Sequence, residues 1–158
     1  MSINIVVVGQ EQVTAHIARL DDDVRSRLTS ALQDIGVSFI EYVKSNKLSG
    51  SPLTSRTGNL ANSLRSEVVS TDDGISLTAS ANTPYAAIQE YGGTTSPHII
   101  EPKNKSVLRF MMNGKAVFAS RVNHPGSKIP SRSYMRSSLT EMEPQIVSRL
   151  QAAIDGIT

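Results

Sequence analysis

The chain contains no cysteine, which excludes a disulfide framework, thiolate zinc sites and a cysteine nucleophile together. It has no tryptophan, only three phenylalanines and four tyrosines, so a core has to be assembled from Val, Ile, Leu, Ala and Met. No apolar run approaches a membrane span, and Ile3 to Val8 is too short for the apolar part of a signal peptide and has no basic residue before it. The expectation is a soluble protein, intracellular when made. Asn104-Lys105-Ser106 matches a glycosylation sequon that has no meaning without export.

At 158 residues the chain has the length of one domain, residues 1–158, and buries about two thirds of its unfolded surface on folding. The 39% hydrophobic content is ordinary, but with so few aromatics the core is modest. Such chains often gain stability by association. Net charge is only +2, yet it is unevenly spread. Residues 1–41 hold three arginines against six acids, a balance of −3, whereas residues 97–136 hold eight bases against Glu101, a balance of +7. That asymmetry fits a head-to-tail contact between copies better than nucleic-acid binding, because the bases are dispersed and no aromatic platform accompanies them.

Alternation over Ile3 to Val8 predicts a short strand, and Val13, Ile17, Leu20, Val24, Leu28, Leu32, Ile35, Phe39 and Val43 then recur at helical spacing. Asp21-Asp22-Asp23 breaks that run, because aspartate suits an N-cap and a first turn. A short helix to about Arg19 and a long one over about 22–46 follow, with Gly36 inside the long one at a cost of about 1 kcal/mol relative to alanine, as a close crossing or a bend would require. Residues 48–56, rich in Ser, Gly and Pro, predict a mobile loop. Thr57 is placed to cap a short helix whose Leu60 and Leu64 face inward. A hairpin over about 67–81 turns at Asp73-Gly74, and a better-marked one over about 107–122 turns at Asn113-Gly114.

Between the hairpins lies Thr83-Pro84-Tyr85-Ala86-Ala87-Ile88-Gln89-Glu90-Tyr91-Gly92-Gly93. Pro84 opens a short helix, Tyr85, Ile88 and Tyr91 share the face expected to be buried on a sheet, and Gly92 ends it. Thr94 to Asn104 is expected to be an extended excursion. In the second hairpin a two-residue turn sets Phe110 opposite Val117, leaving both faces apolar, so either the long helix and a neighbour or another subunit must cover it. A C-terminal helix over about 133–155 contains Pro144, which kinks it or starts a second helix. The whole reads as α+β: an antiparallel or mixed sheet of hairpins packed on a long helix, a short central helix and a C-terminal one.

No catalytic constellation stands out. His16, His98 and His124 lack partners at metal-ligand spacing, and His98-Ile99-Ile100-Glu101 is at most half a metal motif. Glu90 and Glu101 are two acids among fourteen, and Glu90 reads as the polar side of its helix. There is no Gly-x-Ser-x-Gly elbow, P-loop or GxGxxG fingerprint. Neither a metal, a cofactor nor a small-molecule substrate is indicated.

Taken in order, Thr57-Gly58-Asn59-Leu60 with Ser63, Tyr85 to Gly93, Leu108-Arg109-Phe110 with Val117-Phe118, and Pro130-Ser131-Arg132-Ser133-Tyr134-Met135-Arg136 with Leu139 resemble the neck and tail-completion proteins of tailed bacteriophages and prophages. That family, described as phage virion morphogenesis or head-tail joining proteins, shows Thr-Gly-x-Leu, Tyr-Ala-x-x-x-Glu-Tyr/Phe-Gly and a late Pro-Ala-Arg-Pro-Phe-Leu in this order. The likeness spans about residues 10–145. Ser131, Ser133, Tyr134 and Met135 depart from the pattern, and Ser133 removes a rigid turn residue ahead of the last helix.

The resemblance implies a non-enzymatic virion protein forming a homo-oligomeric, sixfold ring at the neck or head-proximal end of the tail, present in the host cytoplasm during assembly. Its partners would be the tail tube protein and the head connector, stopper or adaptor, with phage DNA passing close by and no membrane. Thr57, Gly58, Leu60, Tyr85, Ile88, Glu90, Tyr91, Gly92, Gly93, Pro130, Arg132 and Tyr134 would be structural. Lys103, Lys105, Arg109, Arg121, Arg132 and Arg136 are candidate subunit or partner contacts, and the loops 48–56 and 94–104 candidate contacts with neighbouring rings. Two other classes stay open: a DNA-binding accessory module using the basic 97–136 segment, and a small hydrolase in which His98 or Glu90 would be essential.

Overall fold

The computed structural model describes residues 5–6, 22–71 and 73–155 of the chain. Only β1 (Ile5–Val6) of the expected first strand is among them, and the expected helix ending near Arg19 lies outside the described residues. The long amphipathic repeat folds as α1 (Asp22–Tyr42) and continues through a wider π-helical turn at Val43–Lys47, close to the expected span. Val24, Leu28, Ile35, Phe39, Ile40 and Val43 are its buried residues, each a large apolar side chain worth about 1.5–3 kcal/mol when removed from water. The loop after it is tied internally: Leu53 N–H donates to Lys47 O (3.2 Å) and Ser55 N–H to Leu48 O (2.9 Å).

Gly58, at φ +74°, leads into α2 (Asn59–Ser63) and replaces Thr57 as the capping position. The Thr57 hydroxyl only reaches Asn59 N–H at 3.5 Å. Leu60 is buried as expected, but Leu64 belongs to β2 (Leu64–Thr71), three residues before the predicted start of the first hairpin. Its partner is β3 (Gly74–Ala81). The register sets Leu64 against Ala81, Val68 against Leu77 and Thr71 against Gly74. Asp73 is therefore in the turn, and Gly74 is already strand. Starting at Leu64 lets two equal strands place Leu64 and Val68 on the same face as Leu77, Ala79 and Ala81, and that apolar face sets the register.

Strand order is β1-β3-β2, all antiparallel. Helix α1 lies on the sheet at Gly36, where an added Cβ would sit 2.9 Å from Leu77 Cδ1 and 2.9 Å from Ser66 Oγ. The close crossing expected of that glycine is thus a helix–sheet contact. After α3 (Ala86–Tyr91) come β4 (Gly93–Thr94), β5 (His98–Ile100), β6 (Leu108–Met112), β7 (Lys115–Ala119), β8 (Val122–His124) and β9 (Lys128–Ile129). The last element is α4 (Met135–Asp155), one helix despite Pro144. Pro144 is exposed, so water can solvate the carbonyl that its missing N–H leaves unpaired.

Arg149 Nη1 donates to Ser38 Oγ at 2.9 Å, while Glu141 takes hydrogen bonds from Tyr42 and Lys47, both at 2.6 Å. Rising numbers on α4 thus meet falling numbers on α1, and the two helices run antiparallel. Their shared core joins Ile35, Phe39 and Val43 to Tyr134, Met135, Met142 and Ile146.

Strands β4 to β9 nest. Strand β4 pairs with β9, β5 with β8 and β6 with β7, so residues 93–129 form one long antiparallel ribbon with its tip at Asn113-Gly114. The predicted excursion over 94–104 is its outgoing side. Asn113 at φ +51° and Gly114 at φ +77° form the tight two-residue turn that matches strand twist.

Candidate functional site

The densest set of polar contacts lies where the ribbon leaves the body. Glu90 closes α3 with Ala86 one turn before it, and both are fully buried. This inverts the expected orientation. Tyr85 and Tyr91 are exposed, Ile88 is half-buried, and the buried stripe is Ala86–Glu90. The cause is the environment of the carboxylate. Glu90 Oε2 accepts the backbone N–H groups of Tyr134 (2.7 Å) and Met135 (2.9 Å), and Oε1 accepts the Ser133 hydroxyl (2.7 Å), Arg136 N–H (3.1 Å) and Arg136 Nε (3.2 Å).

Three of these five donors, the N–H groups of Tyr134, Met135 and Arg136, open α4 and have no partner within the helix. A negative charge here also meets the positive end of the helix dipole. Burial by itself would raise the pKa of Glu90. The N–H of Met135, the Ser133 hydroxyl and the N–H groups of Arg136 and Tyr134 outweigh it and hold the carboxyl below its usual range. Glu90 is thus an ionised, fully paired lock, not a solvent-facing residue.

The backbone strengthens the joint. Arg132 N–H donates to Gln89 O at 2.8 Å and the Ser131 hydroxyl to Glu90 O at 2.7 Å. Gly92 has φ +74°, and a Cβ there would fall 2.7 Å from Ser131 N, so only glycine lets the two ribbon ends come this close. Ser133 donates to Glu90 and also accepts Ser137 N–H at 3.2 Å. The last helix is docked through that hydroxyl. Arg136, a candidate subunit contact by sequence, is engaged within the chain: it pairs with Glu90, and its guanidinium sits 4.7 Å from the centre of the Tyr91 ring. Arg132 likewise reaches Gln89 Oε1 at 3.3 Å.

Two buried hydroxyls, those of Thr83 and Tyr134, find no acceptor or donor among the described residues. The Tyr134 side chain is fully buried beside this joint, and among the described residues its hydroxyl has no hydrogen-bond partner. Burial, with the Glu90 charge added, pushes its phenol far above the usual range.

Further out, the residues of the ribbon are mostly exposed. The register at the tip is the predicted one, with Phe110 opposite Val117 and Leu108 opposite Ala119. Val122 belongs to the next ladder instead, opposite Ile100. The long helix does not cover the tip: Met111 is 65% and Phe118 61% exposed, and Phe110 and Met112 are exposed on the other face. Lys103, Lys105, Arg109 and Arg121 are all exposed on the same arm. Lower down, His98 and His124 face each other across β5 and β8 with ring centres 4.9 Å apart. Sequence spacing could not reveal this pair, since it depends on the register of the ribbon.

Among the described residues no three His, Asp or Glu side chains gather as metal ligands. A shallow cavity of about 200 Å³ lies between the 48–57 loop and α3, lined by Leu48, Leu53, Leu60 and Tyr85 with Arg56 its one charged side chain. Glu90, His98 and Glu101 do not meet there.

No family model matches this chain, and neither a curated protein nor a solved structure matches it.

Proposed function

We propose that the protein is a structural subunit of the neck of a tailed phage or prophage, forming a ring at the head–tail interface that completes or terminates the tail and joins it to the head. The observation that carries this reading is the Glu90 joint. Two of the four stretches that carry the resemblance, Tyr85 to Gly93 and Pro130 to Arg136, lie far apart in sequence and meet there through the carboxylate, the backbone and Gly92. Their polar groups are consumed in holding a helix and the base of an arm. That is a mechanical role, and it favours a non-enzymatic protein over a hydrolase using Glu90, because a carboxylate with five donors has no lone pair aimed at a substrate.

The test is electron microscopy of lysates from the phage or induced prophage carrying an early stop codon in this gene. Full heads beside separate tails of normal length would support joining or completion, and tails of uncontrolled length would support termination. Intact infectious particles would overturn the reading. The exposed bases of the arm favour DNA binding as the second reading, which requires an affinity for duplex DNA that falls steeply with salt.

A further inference from the structure

The tip of the ribbon combines two properties that a monomer rarely leaves in water together. Both of its faces are apolar and exposed, through Phe110 and Met112 on one side and Met111 and Phe118 on the other. Its flanks are basic: residues 93–129 hold Lys103, Lys105, Arg109, Lys115, Arg121 and Lys128 against Glu101, six bases to one acid and a balance of +5.

The body carries a surface of the opposite kind. On α4, Val147 is 58% and Ile154 42% exposed, on the side turned away from the buried Met142 and Ile146. The exposed acids Glu143 and Asp155 stand at the two ends of this stripe. Between them the single base is Arg149, which is turned to Ser38 of α1. The dimensions agree. Five paired residues of β6 and β7 span about 16 Å at strand rise, and residues 143 to 155 span about 18 Å at helix rise.

We infer that the basic, apolar ribbon tip docks on the acidic, apolar outer stripe of α4 in a second copy of this chain. Phe118 and Met111 cover Val147 and Ile154, with Arg109, which lies opposite Phe118 on the same face, placed toward Glu143. Ribbon tip and stripe are different surfaces, so each copy gives one and receives one, and the contact is head-to-tail. Such a contact propagates until it closes, which is how a ring forms. The inference rests on the ring reading above and deepens it by naming the contact.

The absence of cysteine makes the test direct. Full-length chains carrying Met111→Cys and Val147→Cys, with different tags, are mixed at about 100 µM, where even weak contacts are populated, and treated with a short bismaleimide. The expected main product is the mixed dimer, with a ladder of higher species from a chain bearing both substitutions. Arg109→Glu should cut the mixed product about threefold, and Glu143→Lys on the receiving chain should restore it. Circular dichroism melts of every variant confirm that each is folded. No cross-linked product, cross-links only between two copies of the Met111→Cys chain, or binding of duplex DNA that is lost with the arm charges while no cross-link forms would each overturn the contact. The stop-codon lysate is scored separately: unjoined heads and tails without the cross-link would refute this contact and leave the neck reading standing.

Discussion

Replacing Glu90 by glutamine changes volume very little and removes one charge, so its effect isolates the lock. A glutamine side chain can offer an oxygen to only one of the two donor sets. If its amide nitrogen stands where Oε2 was, it faces the N–H groups of Tyr134 and Met135; if it stands where Oε1 was, it faces both nitrogens of Arg136, and only the Ser133 hydroxyl can reverse its role. In either orientation two N–H donors lose their acceptor at a largely buried site. Each unpaired buried donor costs about 1–3 kcal/mol, so a loss of about 3–5 kcal/mol is expected, the range seen when one partner of a buried charge pair is removed. Against a total stability of about 5–15 kcal/mol this is a large fraction. Urea unfolding of E90Q beside the parent chain measures it as a lower midpoint at unchanged slope. The charge adds a pH signature. Because the folded-state pKa lies below the ordinary value of 4.5, the contribution of Glu90 is complete above that value and is lost as pH falls through the depressed one. The parent should therefore lose stability below about pH 4.5 more steeply than E90Q. A change under about 1 kcal/mol, or identical acid profiles, would refute the lock.

Three other outcomes are expected. Tyr134→Phe removes a buried hydroxyl without a partner, and should leave stability unchanged or raise it by up to about 1 kcal/mol, read as melting temperature; a clear loss would mean that the hydroxyl does find a partner. Gly36→Ala gains about 1 kcal/mol of helix propensity but drives a methyl into Leu77 and Ser66, at about 1–3 kcal/mol for overpacking, so urea midpoints should fall modestly; a rise would show that the sheet gives way. Met111→Ser and Phe118→Ser alter exposed tip residues, so thermal unfolding of the dilute chain should move by no more than about 0.5 kcal/mol; a large loss would place the tip in the fold of its own body.

The parts of this structure that follow from local pattern were legible in the sequence. The long helix, the two-residue turn at Asn113-Gly114 and the pairing of Phe110 with Val117 depend on periodicity and turn chemistry within a few residues. The orientation of α3 was not legible. Tyr85, Ile88 and Tyr91 form the more apolar stripe, and area alone would bury them; instead the α4 N–H groups, Ser133 and Arg136 draw Glu90 inward against that stripe, and no sequence pattern announces donors that lie in a distant segment. The hydroxyl of Ser133 misled in the same way: as a residue type it is a loss of rigidity, and in place it is a cap. For the ribbon, the sequence implied that both apolar faces needed cover, and among the described residues Phe110, Met111, Met112 and Phe118 stay exposed.

The nesting of the three ladders also bears on how this molecule can change. The two ends of the ribbon meet so closely at Gly92 and Ser131 that no Cβ fits between them, so everything between them is an excursion that returns to its starting point. Inserting or deleting one residue on each side of a ladder, two in all, alters the reach of the arm by about 3.4 Å and leaves every contact of the Glu90 joint where it was. Loop-closure entropy grows only logarithmically with length, so the body hardly registers the difference. Reach and fold are thereby separate variables in this chain, and the span between neighbouring molecules can be retuned without repacking a core.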